Sequence, residues 1–232
     1  MLLVYNLVMK RIFLYSHGFA TRADDNGLFN PIIEAFPDDE HILFPYDDWN
    51  EANDCAVAAT FSERAEKLRA KYNELRNNNP DAEIILICHS QGCIIAALAQ
   101  LENISTTVIL APVINYESGA KQREYTLSKK TSEIQDDGSI VRKRSGGYTT
   151  IIPAKYWDDF VNISDLPAKY DKLASKTRLI IIDAEQDSVI PTSKDYSLLK
   201  ANIEFEHLPL DHDFIETDSS RASLISLLKK LL

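Results

Sequence analysis

The chain has 232 residues, of which 45% are apolar and 26% charged. That is enough apolar material for one well-buried domain, and no stretch is long and apolar enough to span a bilayer. A net charge of −10 argues against nucleic acid or an anionic membrane surface as partner, and Cys55, Cys88 and Cys93 form neither an even disulfide set nor a metal-ligand spacing.

Residues 1–8 are apolar but short, with no positive region before them and no small-residue cleavage site after them. They read as an edge strand or an extension rather than a signal peptide, with Met9 as an alternative start, and the default location is cytoplasmic. Arg11–Ser16 is a strand that runs into His17-Gly18-Phe19-Ala20. A short helix is expected within Asn26–Phe36, starting late because Pro31 is tolerated only in a first turn. His41–Phe44 is a second strand, and Phe61–Arg76 is an amphipathic helix rich in good helix formers, stopped by Asn77-Asn78-Asn79-Pro80. Ile84–Cys88 is a buried strand, followed at once by the apolar helix that opens near Gln91. Thr107–Leu110 and Leu179–Ile182 are further buried strands, Ile203–Leu208 alternates well enough for another, and Ser219–Leu232 is a helix with an apolar stripe. Strands alternating with helices predict an α/β chain with a doubly wound, mostly parallel sheet and helices on both faces.

Residues 113–172 break the alternation and are too long for a plain loop. Within them Ser132–Gln135 and Ser139–Arg142 flank Asp136-Asp137-Gly138, a hairpin signal. Tyr148, Tyr156, Trp157 and Phe160 follow. The stretch reads as a cap inserted into a single domain of residues 1–232, its aromatics lining an acyl or alcohol pocket; the competing reading is an ornament whose aromatics pack on the body. Arg142-Lys143-Arg144 reads as a solvated strand end rather than an anion site.

The chemistry gathers at the ends of the strands. Cys88-His89-Ser90-Gln91-Gly92 is a strand-to-helix elbow that lifts a serine hydroxyl above the carboxyl edge of the sheet. Cys88 stands where the usual G-x-S-x-G pattern has its first glycine. A serine nucleophile needs a base, and the base needs an acid to orient it. Asp187 lies in the loop after Leu179–Ile182, with Pro191 placed to open a following helix. His212 lies in the loop after Ile203–Leu208. Ser90, Asp187 and His212 thus each follow a separate strand, in the chain order that an elbow enzyme requires. Asp183 and His207 rank lower, because one is close to the strand body and the other lies within its strand. The oxyanion donors expected are the backbone N–H groups of Gln91, after the nucleophile, and of Phe19, after the first central strand. His17 reads as a loop brace, His89 as a packing or hydrogen-bonding group at the elbow, and His41 carries no functional signal.

The elbow Cys88–Gly92, the His17-Gly18-Phe19 loop, the segment Asp187–Pro191 and the segment Asp211–Phe214 together resemble the α/β-hydrolase superfamily. The resemblance runs from about Lys10 to the C terminus, apart from the middle insertion. The chain's size and the position of the insertion are similar to small carboxylesterases of the monoacylglycerol-lipase, feruloyl-esterase and dienelactone-hydrolase kind. The resemblance implies hydrolysis of a small or medium carboxylic ester through an acyl-enzyme on Ser90, with neither cofactor nor metal. Peptidase, thioesterase and acyltransferase chemistry on the same three residues, and a non-catalytic ligand-binding member of the fold, are the alternatives. The partner is a small-molecule ester, and a homodimer is left open.

Overall fold

The computed structural model describes residues 10–116, 118–144, 146–190 and 194–232. The chain begins with β1 (Arg11–Ser16), α1 (Asn30–Ala35), β2 (Glu40–Ile42), β3 (Asp48–Asn50) and β4 (Cys55–Val57). It continues through α2 (Phe61–Asn78), β5 (Glu83–His89), α3 (Gln91–Ala99), β6 (Thr106–Leu110) and α4 (Gly119–Leu127). Then come β7 (Ser132–Ile134), β8 (Ile140–Lys143), β9 (Thr149–Ile152), α5 (Lys155–Asp158) and α6 (Leu166–Ala174). It ends with β10 (Arg178–Ala184), β11 (Glu204–Leu208) and α7 (Asp218–Leu231).

Six strands, in the order β11-β10-β6-β5-β1-β2, form one sheet in which every pair is parallel. Alternation along each strand sends side chains to opposite faces. Ile12, Leu14, Ile84, Leu86 and Ile181 meet Phe61, Leu68, Ile94 and Leu173 from α2, α3 and α6. Phe13, Tyr15, Ile85, Ile87 and Ile182 meet Ile32, Leu224 and Leu228 from α1 and α7 on the other side. This is the doubly wound sheet expected. The four inner strands, β1, β5, β6 and β10, are buried on both faces and read as largely apolar runs, whereas the edge strands β2 and β11 are partly exposed.

Local chemistry fixes the boundaries. Pro31 lies in the first turn of α1. Thr60 and Glu63 form a reciprocal capping box at the start of α2, and Asn79 caps its end. The second strand ends at Ile42, so Leu43 and Phe44 lie outside the ladder. The proposed terminal strand at residues 1–8 and the helix start at Pro191 fall outside the described residues. No helix among the described residues is long and apolar enough to cross a membrane.

A second sheet has the order β3-β4-β9-β8-β7. The expected hairpin is present as β7 and β8, paired antiparallel from Ser132↔Arg142 to Ile134↔Ile140. Strands β3 and β4 were not foreseen. They have three residues each and carry no readable period, and β4 is held by its parallel pairing with β9. Residues 113–172 therefore share this sheet with a segment that precedes α2. They end in α6, which packs on α3 and Tyr170 of which donates to the Val113 carbonyl. The segment that follows this sheet is anchored to α2, where Asp159 accepts hydrogen bonds from the Ser62 N–H and hydroxyl at 2.7 Å each.

Candidate active site

β5 delivers Ser90 to the carboxyl edge of the central sheet, and α3 begins at the next residue. Ser90 has φ 52° and ψ −122°, a strained backbone that turns the chain sharply from strand to helix. The turn is possible because Gly92 presses on β1: a Cβ there would lie 2.0 Å from the Ser16 carbonyl oxygen. Cys88 is fully buried on β5, two residues before Ser90, where a small side chain fits. All three cysteines are buried free thiols, and burial pushes each of them up from the ordinary thiol range.

The loop after β11 brings His212 to the same edge, with Nε2 2.9 Å from Ser90 Oγ. The loop after β10 brings Asp187, whose Oδ2 lies 2.7 Å from His212 Nδ1. The carboxylate only accepts, so Nδ1 carries the proton and the Nε2 lone pair faces the hydroxyl. Burial pushes the Asp187 carboxyl up, but the hydrogen bonds from His212, the Ile190 N–H and Lys194 outweigh it and hold the carboxyl well below the usual range. Val189 and Ile190 donate their N–H groups to Oδ1 at 2.8 and 2.9 Å. Asp187 and His212 are both buried.

Asp183 and His207, ranked lower from the sequence, form their own contact at 3.5 Å, away from Ser90. Asp183 accepts from Lys194 at 2.9 Å and from the Tyr196 hydroxyl at 2.7 Å. Lys194 also reaches Asp187 Oδ2 at 3.1 Å and so ties the two carboxylates together. Sequence reasoning missed Lys194, because nothing in its neighbours signals a cation that is largely covered.

His17 braces its loop. Its Nε2 accepts the Tyr46 N–H at 3.1 Å, so Nδ1 carries the proton toward the Gly18 carbonyl and the Thr21 hydroxyl. Burial lowers its tendency to protonate. His89 does the opposite. Its Nδ1 meets Asp25 Oδ2 at 2.6 Å and its Nε2 meets the His212 carbonyl at 3.1 Å. Both partners only accept, so both nitrogens carry protons and His89 is a buried imidazolium. Burial opposes that charge, but Asp25 outweighs it and the value is raised. His89, His212 and Asp213 lie within 4.8 Å of one another at their ligand atoms, yet His89 has no lone pair left for a metal. Asp25 also accepts the Gly18 N–H at 3.0 Å, which shapes the loop that carries Phe19.

Beneath Phe19 lies an ion pair that the sequence hid. Arg64 is fully buried and meets both Asp47 oxygens, at 2.7 and 2.6 Å. It also donates to Gln91 Oε1 at 2.6 Å, and Gln91 Nε2 donates to the Tyr156 hydroxyl at 2.8 Å. The first helical residue after Ser90 is thus fixed from α2 on one side and from α5 on the other.

A cavity of about 720 Å³ opens above Ser90. Phe19, Gln91 and His212 line it beside the hydroxyl, and Tyr148, Tyr156, Trp157 and Phe160 form much of its far wall. Tyr156 and Phe160 do both things that the sequence set against each other: they line the cavity and are buried against Phe61, with centroids at 5.2 and 5.1 Å. Arg142 and Arg144 also line the cavity and are half-buried, which corrects their reading as a solvated strand end. Strand alternation turns Arg142 inward and leaves Lys143 exposed, and Arg144 follows just past the end of β8.

No family model matches this sequence, and no curated protein is similar to it in sequence. Solved structures are similar in fold. The esterase domain of a Rhodothermus marinus protein superposes with a TM-score of 0.64 at 15% identity, covering 97% of this chain and 88% of that one. The Paleococcus ferrophilus monoacylglycerol lipase gives 0.65 at 14% identity, covering 95% and 93%. The α/β hydrolase GrgF from a Penicillium species gives 0.65 at 15% identity, covering 97% and 89%. The chain has the α/β-hydrolase fold.

Proposed function

We propose that this protein is a serine hydrolase that cleaves a carboxylic ester of a small or medium substrate through an acyl-enzyme on Ser90. The observation that carries the reading is the unbroken chain of hydrogen bonds from Ser90 Oγ through His212 to Asp187, 2.9 and 2.7 Å long, on the floor of a cavity of drug-like size.

His212 takes the Ser90 proton at Nε2 as Oγ attacks the ester carbonyl. Asp187 accepts the Nδ1–H and stabilises the imidazolium that forms. The backbone N–H groups of Gln91 and Phe19 receive the oxyanion. Gln91 is the first residue of α3, where an N–H has no partner within the helix. The Gly18 N–H is taken by Asp25, which leaves Phe19 as the donor on that loop. His212 then protonates the leaving alcohol, and water attacks the acyl-enzyme by the same route in reverse. The aromatic wall accommodates the apolar part of the substrate.

Ser90→Ala is the direct test of activity. Turnover of p-nitrophenyl butyrate falls by about 10⁴-fold or more if Ser90 is the nucleophile. Wild-type turnover in that variant would refute the reading.

A further inference from the structure

The cavity over Ser90 is lined by two cations, Arg142 and Arg144. Neither Arg142 nor Arg144 meets a carboxylate among the described residues, whereas Arg11, Arg22, Arg64, Arg178 and Arg221 each do. Arg142 Nε is buried with no hydrogen-bond partner, and Trp157 Nε1, on the same cavity wall, is another such atom. The titratable groups facing Arg142 are Arg144, Tyr125 and Tyr148; burial weakens its hold on the proton and the like charge of Arg144 adds to that. The Arg144 guanidinium lies 5.8 Å from the centre of the Phe19 ring. Of the carboxylates on this cavity, Asp25 is committed to His89 and Asp213 lies beside His212.

Leaving a charged donor atom such as Arg142 Nε buried and unpaired is unfavourable, and the like charge of Arg144 adds to the cost. Among the described residues no carboxylate offsets either; the Phe19 ring faces Arg144 but supplies no anion. Both orphan atoms on the wall are donors, so what they lack is an acceptor, and the neighbouring charges require it to be negative. Guanidinium groups match the paired oxygens of a carboxylate or a phosphate.

We propose that Arg142 and Arg144 form an anion subsite, and that the ester cleaved at Ser90 carries a carboxylate or phosphate group away from its scissile bond. The subsite rests on the serine-hydrolase reading for its substrate, but anion binding can be measured without turnover.

The test compares wild type with Arg142→Gln on p-nitrophenyl hydrogen glutarate and on the neutral p-nitrophenyl hexanoate. Binding of glutarate and of inorganic phosphate is measured on both proteins by calorimetry. Wild type prefers the glutarate monoester by about tenfold or more in kcat/KM, and the variant loses that preference. At least one free anion binds wild type and not the variant, and the tighter of the two separates carboxylate from phosphate. Lys143→Gln removes the same charge from the opposite face and retains the preference. Arg142→Lys keeps the charge without the planar fork, so it reports on the subsite if the glutamine variant does not fold; its preference falls as well. Wild type that cleaves both esters alike and binds neither anion overturns the subsite and leaves the hydrolase standing. Arg142-dependent anion binding with no turnover of either ester overturns the hydrolase and leaves the subsite.

Discussion

Two aspartate–histidine pairs lie side by side beneath the cavity, and their second nitrogens set them apart. Asp187–His212 and Asp25–His89 have nearly equal contacts of 2.7 and 2.6 Å, and their imidazole rings are 4.9 Å apart. His212 turns its far nitrogen to a hydroxyl, which has a proton to give. His89 turns its far nitrogen to the His212 carbonyl, which has none. One pair is therefore arranged to exchange a proton, and the other already holds both and acts as a strut. A carboxylate beside an imidazole does not define a base; what the far nitrogen faces does.

Three perturbations separate the two pairs. The largest effect is expected at Asp187→Asn, which favours the wrong tautomer of His212 and lowers kcat/KM by about 10⁴-fold, and which lowers the thermal midpoint as well because Lys194 and the Ile190 N–H lose an ionised carboxylate. Steady-state kinetics and calorimetry on the same preparation check both halves of that statement. Next is Asp25→Asn, which strips the partner from a buried cation and destabilises the fold by about 3–5 kcal/mol. In a chain of this size that is a drop of roughly 10 °C in Tm, while Ser90 still reacts with a serine-directed probe at 25 °C. A variant that unfolds little but loses all reactivity would mean that the two pairs have been assigned the wrong way round.

The smallest effect is in pH. His89 has its value raised in the folded state, so its contribution to stability is complete below the unfolded imidazole value of about 6.5 and is lost as pH rises through the folded one. The Asp25 carboxyl is lowered: burial pushes it up, but the charge and hydrogen bond of His89 prevail. Its contribution is complete above the unfolded value of about 3.9 and is lost as pH falls through the folded one. The urea midpoint of wild type relative to Asp25→Asn is thus greatest between about pH 4 and 6.5 and narrows on both sides. A difference that is flat through the alkaline side would show that His89 is not the charged partner.

The division between what the sequence disclosed and what it hid follows the same line. Ser90 and Asp187 were legible because each stands in a turn after a buried apolar strand, and His212 because its turn follows an alternating edge strand; a parallel sheet brings such turns to one edge. The hairpin at residues 132–142 was legible from its turn residues. Asp25, Arg64 and Asp47 were not, because a charge within a helix or loop reads as solvated until a tertiary partner covers it, and their partners lie 64 and 17 residues away. Arg142 and Arg144 were misread for a related reason. Alternation says that two strand residues share a face, but not whether that face looks on water or on a cavity.

The central claim is that Ser90 is the nucleophile, and mass mapping of a fluorophosphonate adduct tests it most directly. The account predicts one modified site, within the peptide that contains Ser90, and loss of that adduct in His212→Gln with the fold intact. An unlabelled Ser90 peptide in a folded protein, or an adduct on another serine, would contradict it.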